Sequence, residues 1–341
     1  MTHSATDSRP SPVWTDIDYD CDGKQTGFLG VPQSTNSAGW ATVFVPIIVI
    51  RNGPGPTALL FGGNHGDEYE GPVTLLNLAR ELDPAQVRGC IIMAPALNTP
   101  AVLNGTRLSP LDGMNMNRAF PGTPDGAITS QIAHYVAHTL IPRADLVIDI
   151  HSGGRSMHFL PSVNMHRMRD PQQMSAMLDA AKAWGAPYVF IYRDVAGAGL
   201  LPSYAESLGK VTLGTEIGSA SQFGAAMLKI AARGVRNVLA LHGILAAGER
   251  STNDNQPQVI ASEERDDYVM APSDGIFEPF VELGDTITAH QIIGQMHMVT
   301  QPDSAPTPVP ARTSGLAISR RAFPLTKQGE CVLVVARPVA G

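Results

Sequence analysis

Residues 40–50, WATVFVPIIVI, form the clearest strand pattern near the start, an apolar and β-branched run closed by the turn GPGP. Residues 1–56 therefore read as a β-rich segment belonging to the unit that follows. From 57 to about 247 the pattern alternates. TALLF, CIIMAP, DLVIDI, YVFIY and VTLGTE are short apolar runs of the kind that make strands buried on both faces. Between them, GPVTLLNLARELD, SQIAHYVAHTLI, MSAMLDAAKAWG and AAMLKIAARGVRNVLALHGIL carry apolar positions at helical spacing. This alternation predicts an α/β domain over 57–247, with a mostly parallel or mixed sheet flanked by helices.

The stretch GERSTNDNQPQ is polar and reads as a linker. Beyond it, residues 259–341 show short alternating runs punctuated by Gly and Pro, which predicts a smaller all-β module. TQPDSAPTPVPARTSG reads as an exposed loop within it. APSDGIFEPFVELGDTITAHQIIGQM resembles the barrel-sandwich of biotinyl and lipoyl carriers, which display a modifiable lysine after this segment. HMVTQPDS offers none. The module is therefore expected to pack on the α/β domain or cover part of its mouth.

Composition narrows the partners. Of 341 residues, 43% are hydrophobic and 16% charged, and the formal net charge is −7, which argues against broad contact with nucleic acid or an anionic membrane. A local basic pocket for a small anion stays compatible with it. Cys21, Cys90 and Cys331 are far apart and form no C-x-x-C pair, so neither a disulfide framework nor a thiolate metal site is expected. MTHSATDSRPSPVW lacks a basic start followed by an apolar stretch, and the run Val43–Ile50 is short and broken by Pro46. The expectation is a soluble, cytoplasmic protein. A homo-oligomer is plausible for its size, but no residue pattern proves it.

The candidate chemistry starts in FGGNHGDEYEGP, directly after TALLF. Its glycines suggest a phosphate loop, but neither G-x-x-x-x-G-K-[ST] nor G-x-G-x-x-G is present. Ligand sites in open α/β sheets form outside the carboxyl ends of the strands. His65 and Glu68 fall at one such end, His151 at the end of DLVIDI, and Glu216 at the end of VTLGTE. Two imidazoles and one carboxylate make a known zinc set with an open position. His65 and Glu68 are close enough for one turn to aim both at one ion, and His151 would close the set. Glu216 is then left as a general base toward the water that the metal activates. Asp149 could orient His151, or be an ordinary polar residue at a strand end. TRLSPLDGMNMNRAFPG adds Arg107, Asn117 and Arg118, which could bind a carboxylate or steady an oxyanion. On spacing alone, a surface loop with solvated arginines accounts for that segment slightly better.

Taken in order, H-x-x-E, the N-R of MNMNRAFPG, the His of DIHSGG and the Glu of TLGTEIG resemble the succinylglutamate desuccinylase/aspartoacylase family of zinc enzymes, relatives of the zinc carboxypeptidases. The resemblance implies a zinc-carboxypeptidase-like fold and one zinc ion per chain on His65, Glu68 and His151. It implies Glu216 as the proton-handling carboxylate, Asn117 and Arg118 on the substrate carboxylate, and Arg107 near the scissile carbonyl. The substrate implied is a small N-acyl amino acid. Within the family, GNHGDEYEGP, DGMNMNRAFPG and GAGLLPSYAESLGKVTLGTEIG are most similar to members that deacetylate Nα-acetyl-L-2,4-diaminobutyrate in ectoine breakdown. A cationic tail would want an acidic pocket residue, for which Asp194 and Glu206 are candidates. The substrate-facing tyrosine is left open among Tyr188, Tyr192, Tyr204 and Tyr268. The alternative within the family is succinylglutamate desuccinylase or aspartoacylase activity. Two competitors lie beyond it: a zinc carboxypeptidase using the same residues on peptides, and a metal-stabilised binding protein, which would have no need of Glu216.

Other histidines read as structural. His134 and His138 lie four apart on a predicted helix, but Ile132, Val136 and Leu140 form its buried stripe, so both are expected on the solvated face. His158, His166, His242, His290 and His297 have no partners at ligand spacing. The methionines between Met165 and Met177 are expected in the core.

Overall fold

The computed structural model describes residues 9–193, 197–218, 222–249 and 256–339. In chain order the strands to the linker and just past it are β1 (Gly23–Thr35), β2 (Ala38–Asn52), β3 (Thr57–Gly62), β4 (Gly89–Ala94), β5 (Leu146–Ile150), β6 (Met157–Phe159), β7 (Ser162–His166), β8 (Tyr188–Tyr192), β9 (Val211–Glu216) and β10 (Gln258–Ser262). The C-terminal strands are β11 (Tyr268–Met270), β12 (Gly275–Pro279), β13 (Thr286–Ile287), β14 (Ile292–His297), β15 (Thr307–Pro310), β16 (Gly315–Arg321), β17 (Leu325–Thr326) and β18 (Cys331–Pro338). The helices are α1 (Glu70–Glu81), α2 (Thr99–Asn104), α3 (Ile128–Tyr135), α4 (Pro171–Trp184), α5 (Leu201–Ser207) and α6 (Ala225–Leu241).

One large mixed sheet runs β1-β2-β4-β3-β5-β9-β7-β8-β10-β18-β16-β13, and β12, β14, β15 and β17 form a smaller antiparallel sheet. The architecture is the α/β arrangement that the alternating pattern predicts. The expected division at the linker meets a continuous sheet: β10 pairs parallel with β8, and β18 carries the pairing onward. Most of the linker, residues 250–255, lies outside the described residues.

The fully apolar strands are buried because both faces of the sheet are covered. Leu60, Ile91, Met93 and Ile148 pack with α1, α4 and α6 on one face. Leu59, Phe61, Ile92 and Val147 pack with α3 and α5 on the other. Met165 and Met177 are buried as expected, although Met165 lies on a strand that the sequence reading omits, β7. Trp184 is fully buried at the end of α4, beside Gly234 of α6. A Cβ on Gly234 would lie 2.0 Å from the Trp184 indole nitrogen. Alanine would gain about 1 kcal/mol of helix propensity there, but relieving that clash costs about 1–3 kcal/mol. We expect Gly234→Ala to lower the denaturation midpoint in urea; a rise would show that the indole moves freely.

One helix departs from expectation. α3 ends at Tyr135 and gives way to a π-turn over Val136–Leu140. His134 is buried and His138 half-buried, their rings 4.5 Å apart, rather than both facing solvent. The segment packs against β1 and α5 as well as the sheet, so little of its circumference is left to water. Among the described residues, no helix is long and apolar enough to cross a membrane.

Candidate active site

β3, β4, β5 and β9 run parallel, so their carboxyl ends share one edge. The loop after β3 turns sharply back into α1. Gly63 holds a left-handed φ of 64°, and a Cβ on Gly66 would sit 2.0 Å from the Ala101 backbone. These glycines serve close backbone approach, and they leave His65 and Glu68 at the sheet edge. His151 follows β5 directly, and Glu216 ends β9.

Glu68 is the centre of the cluster. Its Oε1 lies 2.8 Å from His65 Nδ1 and its Oε2 lies 2.8 Å from His151 Nδ1. All three side chains are buried, and their candidate ligand atoms lie within 4.8 Å of one another. Each imidazole has its other nitrogen engaged: His151 Nε2 lies 2.8 Å from Asp149 Oδ2, and His65 Nε2 lies 3.1 Å from Asn115 Oδ1. If each Nε2 carries the proton, each Nδ1 presents its lone pair to the shared point, which is the tautomer that a metal ligand requires. The donor set therefore fits a divalent cation.

Charge follows from these contacts. Burial pulls His65 below the ordinary imidazole range, against the opposing pull of Glu68. Burial acts the same way on His151, but the carboxylates of Asp149 and Glu68 outweigh it and hold that imidazole well above the range. Burial would raise Glu68, yet His65 and His151 together draw it below the usual carboxylate range. Glu216 moves the other way. Burial, and then the charge of Glu68, push its carboxyl well above the usual range. Its Oε2 is buried with no hydrogen-bond partner among the described residues. A divalent cation held by Glu68 would outweigh the second contribution and favour the ionised carboxylate of Glu216, the form a general base requires.

The seven residues singled out from the sequence, His65, Glu68, Arg107, Asn117, Arg118, His151 and Glu216, all line one cavity of about 580 Å³. Arg107 brings Nη1 to 3.3 Å from His65 Nδ1 and 3.4 Å from Glu68 Oε1. Asn117 accepts the Leu201 backbone N–H through Oδ1 at 3.0 Å, which aims its amide group. Arg118 donates through Nη1 to the Asn117 carbonyl at 2.6 Å. The segment thus reaches the site, against the surface-loop reading that its spacing favoured.

Several contacts were not legible. Asn115 takes the Asn117 N–H on the same Oδ1 that faces His65, and Asn64 donates to Asp149 Oδ2 at 2.8 Å. The one available signal for Asn115 was its place in MNMNR, two residues before Asn117. Of the candidate tyrosines, Tyr192 and Tyr268 line the cavity and Tyr188 and Tyr204 do not. Glu206 is buried against His166 at 2.7 Å and does not line the cavity, while Asp194 lies outside the described residues. That pairing also gives His166 a partner that sequence spacing did not reveal. The C-terminal strands supply Tyr268, Arg321, Cys331 and Val334 to the cavity wall, and the turn before β18 supplies Glu330.

The model of the succinylglutamate desuccinylase/aspartoacylase catalytic domain matches residues 54–242. The chain belongs to this family. It is 38% identical over 339 residues to the N-alpha-acetyl-L-2,4-diaminobutyric acid deacetylase of Halomonas elongata, covering 99% of each chain. The product-bound structure of the ectoine utilization protein EutE (DoeB) from Ruegeria pomeroyi is 39% identical with a TM-score of 0.92, covering 96% of this chain and 99% of that one. The succinylglutamate desuccinylase/aspartoacylase structure from Rhodobacter sphaeroides is 38% identical with a TM-score of 0.91, covering 96% and 100%. The family's fold is therefore this chain's fold over nearly its whole length.

Proposed function

We propose that this member of the family is a zinc-dependent amidohydrolase that deacetylates Nα-acetyl-L-2,4-diaminobutyrate. The products are acetate and L-2,4-diaminobutyrate. The observation that carries the reading is the convergence of a His–Glu–His cluster, a buried carboxyl and an Asn–Arg pair on one cavity. The full-length likeness to a deacetylase named for this substrate supports it.

In this reading His65, Glu68 and His151 hold one Zn²⁺. Bound there, it would polarise the scissile carbonyl and acidify a water molecule. Asn117 and Arg118 clamp the α-carboxylate, which fixes the acetyl carbonyl in place. Glu216 takes a proton from the attacking water as the new C–O bond forms. It delivers that proton to the nitrogen as the C–N bond breaks. Arg107 shares the negative charge that develops on the carbonyl oxygen. The chemistry is assigned to residues 57–247, with 1–56 supporting the sheet and 259–341 closing the cavity. The cytoplasm is the proposed location, in keeping with three free cysteines among the described residues.

The deciding experiment measures acetate release from Nα-acetyl-L-2,4-diaminobutyrate, beside N-acetyl-aspartate, N-succinyl-glutamate and a blocked dipeptide. Chelator-sensitive turnover of the first alone is expected. Turnover of a control in its place would move the substrate assignment, and binding without turnover would restore the binding-protein reading. Asp149→Asn tests the support of His151: zinc affinity should fall about 10–100-fold, read by competition with a chromophoric chelator. An unchanged affinity would reduce Asp149 to a strand-end polar residue.

A further inference from the structure

A substrate with a side-chain ammonium needs a counter-charge in the cavity. Among the described residues, the carboxylates lining it are Glu68, Glu216 and Glu330. Glu68 is enclosed by two imidazoles, and Glu216 is the proposed proton carrier. Glu330 comes from the far end of the chain. We infer that Glu330 receives the substrate's side-chain ammonium and so sets a preference for cationic N-acyl amino acids, an inference that rests on the deacetylase reading above.

Glu330 stands at the end of the turn between β17 and β18. Its Oε2 accepts the Lys327 backbone N–H at 3.0 Å and pairs with Arg321 Nη2 at 2.9 Å. Arg321 is itself fixed, donating to the carbonyls of Phe323 and Leu325 at 2.9 and 3.0 Å. The carboxylate is thus held in one orientation, and both bonds fall on Oε2. Oε1 keeps its lone pairs for a donor in the cavity, and the side chain is 41% exposed.

The turn is also tied to the metal-ligand loop. Arg321 is registered opposite Met157 in the pairing of β16 with β6, and the Ala322 N–H donates to the Ser156 carbonyl at 2.9 Å. Met157 donates back to Gly153, and the neighbouring Ser152 N–H reaches Glu68 Oε2 at 3.2 Å. A short run of backbone bonds therefore links Glu330 to the catalytic cluster. The remaining charges of the wall favour the same choice. Arg107, Arg118 and Arg193 repel an ammonium, so within this wall it is drawn to the Oε1 side of the Glu330–Arg321 pair.

The test compares Nα-acetyl-L-2,4-diaminobutyrate with Nα-acetyl-L-norvaline, which has a methyl group where the first has an ammonium. Glu330→Gln keeps an acceptor for the Lys327 N–H and removes the charge. It should lower kcat/KM on the diaminobutyrate derivative about tenfold, mainly through KM, and leave the norvaline derivative unchanged. Glu330→Asp should restore part of the loss, and it carries the test if the glutamine variant does not fold. An equal fall on both substrates would make Glu330 a brace for its turn and overturn the inference. A wild-type preference for the ammonium that survives in Glu330→Gln would overturn it too. If the wild type turns over only the norvaline derivative, the ammonium preference is overturned; if it turns over neither, the deacetylase reading itself fails, and both failures are visible before any variant is made.

Discussion

Glu216→Gln should reduce kcat by about 10²–10⁴-fold, the usual contribution of a positioned general acid–base group, while zinc content stays at one per chain. The replacement preserves shape, so the fold and the cluster at Glu68 have no reason to change. The expectation comes from the carboxyl's surroundings. Burial and the neighbouring charge of Glu68 raise its proton affinity, and its Oε2 has no partner among the described residues. Such a group costs stability unless something in the cavity uses it. Steady-state kinetics with metal analysis on the same preparation decides the matter. A kcat within a few-fold of wild type would remove Glu216 from the proton-transfer role.

The second large effect concerns the metal. Exhaustive chelation should abolish turnover, and added zinc should restore it. The stripped protein should stay folded, because with the metal gone each Nδ1 can take up a proton and donate to Glu68, 2.8 Å away, so no ligand is stranded. Zinc should nevertheless raise the melting temperature: at free metal 100-fold above Kd, binding to the folded state contributes about 2.7 kcal/mol. His151→Ala should lose activity that zinc cannot restore, since two of the three candidate ligands remain and Asp149 keeps only the bond from Asn64. Full activity in the presence of chelator, with metal analysis showing none bound, would discard the metal mechanism and leave Glu216 and Arg107 to be reconsidered as a metal-free pair.

The candidate cluster was legible because its side chains sit where a one-dimensional pattern can point. His65, Glu68, His151 and Glu216 each stand at or just after the end of an apolar run, and parallel strands bring such ends to one edge. The same logic makes the α/β fold readable, since strands buried on both faces need continuous apolar sequence. Helix circumference was less legible. A single buried stripe predicts what faces the sheet, but His134 is buried by neighbours on other sides, which periodicity cannot count.

What only the tertiary structure decided is what depends on distant segments meeting. Asn115 and Asn64 matter through hydrogen bonds to His65 and Asp149, side chains whose positions are set elsewhere in the chain. The C-terminal strands read as a smaller β module, and β12, β14, β15 and β17 do form a separate small sheet. Local alternation carries no information about sheet partners, however, and could not show that β10 and β18 continue the large one. That continuation places Arg321 and Glu330 in the cavity wall. Residue type and spacing determined the donor set and the likeness to a family. Long-range strand pairing determined the shape and charge of the space those donors face, because side chains far apart in sequence share a wall only after the backbone between them has folded.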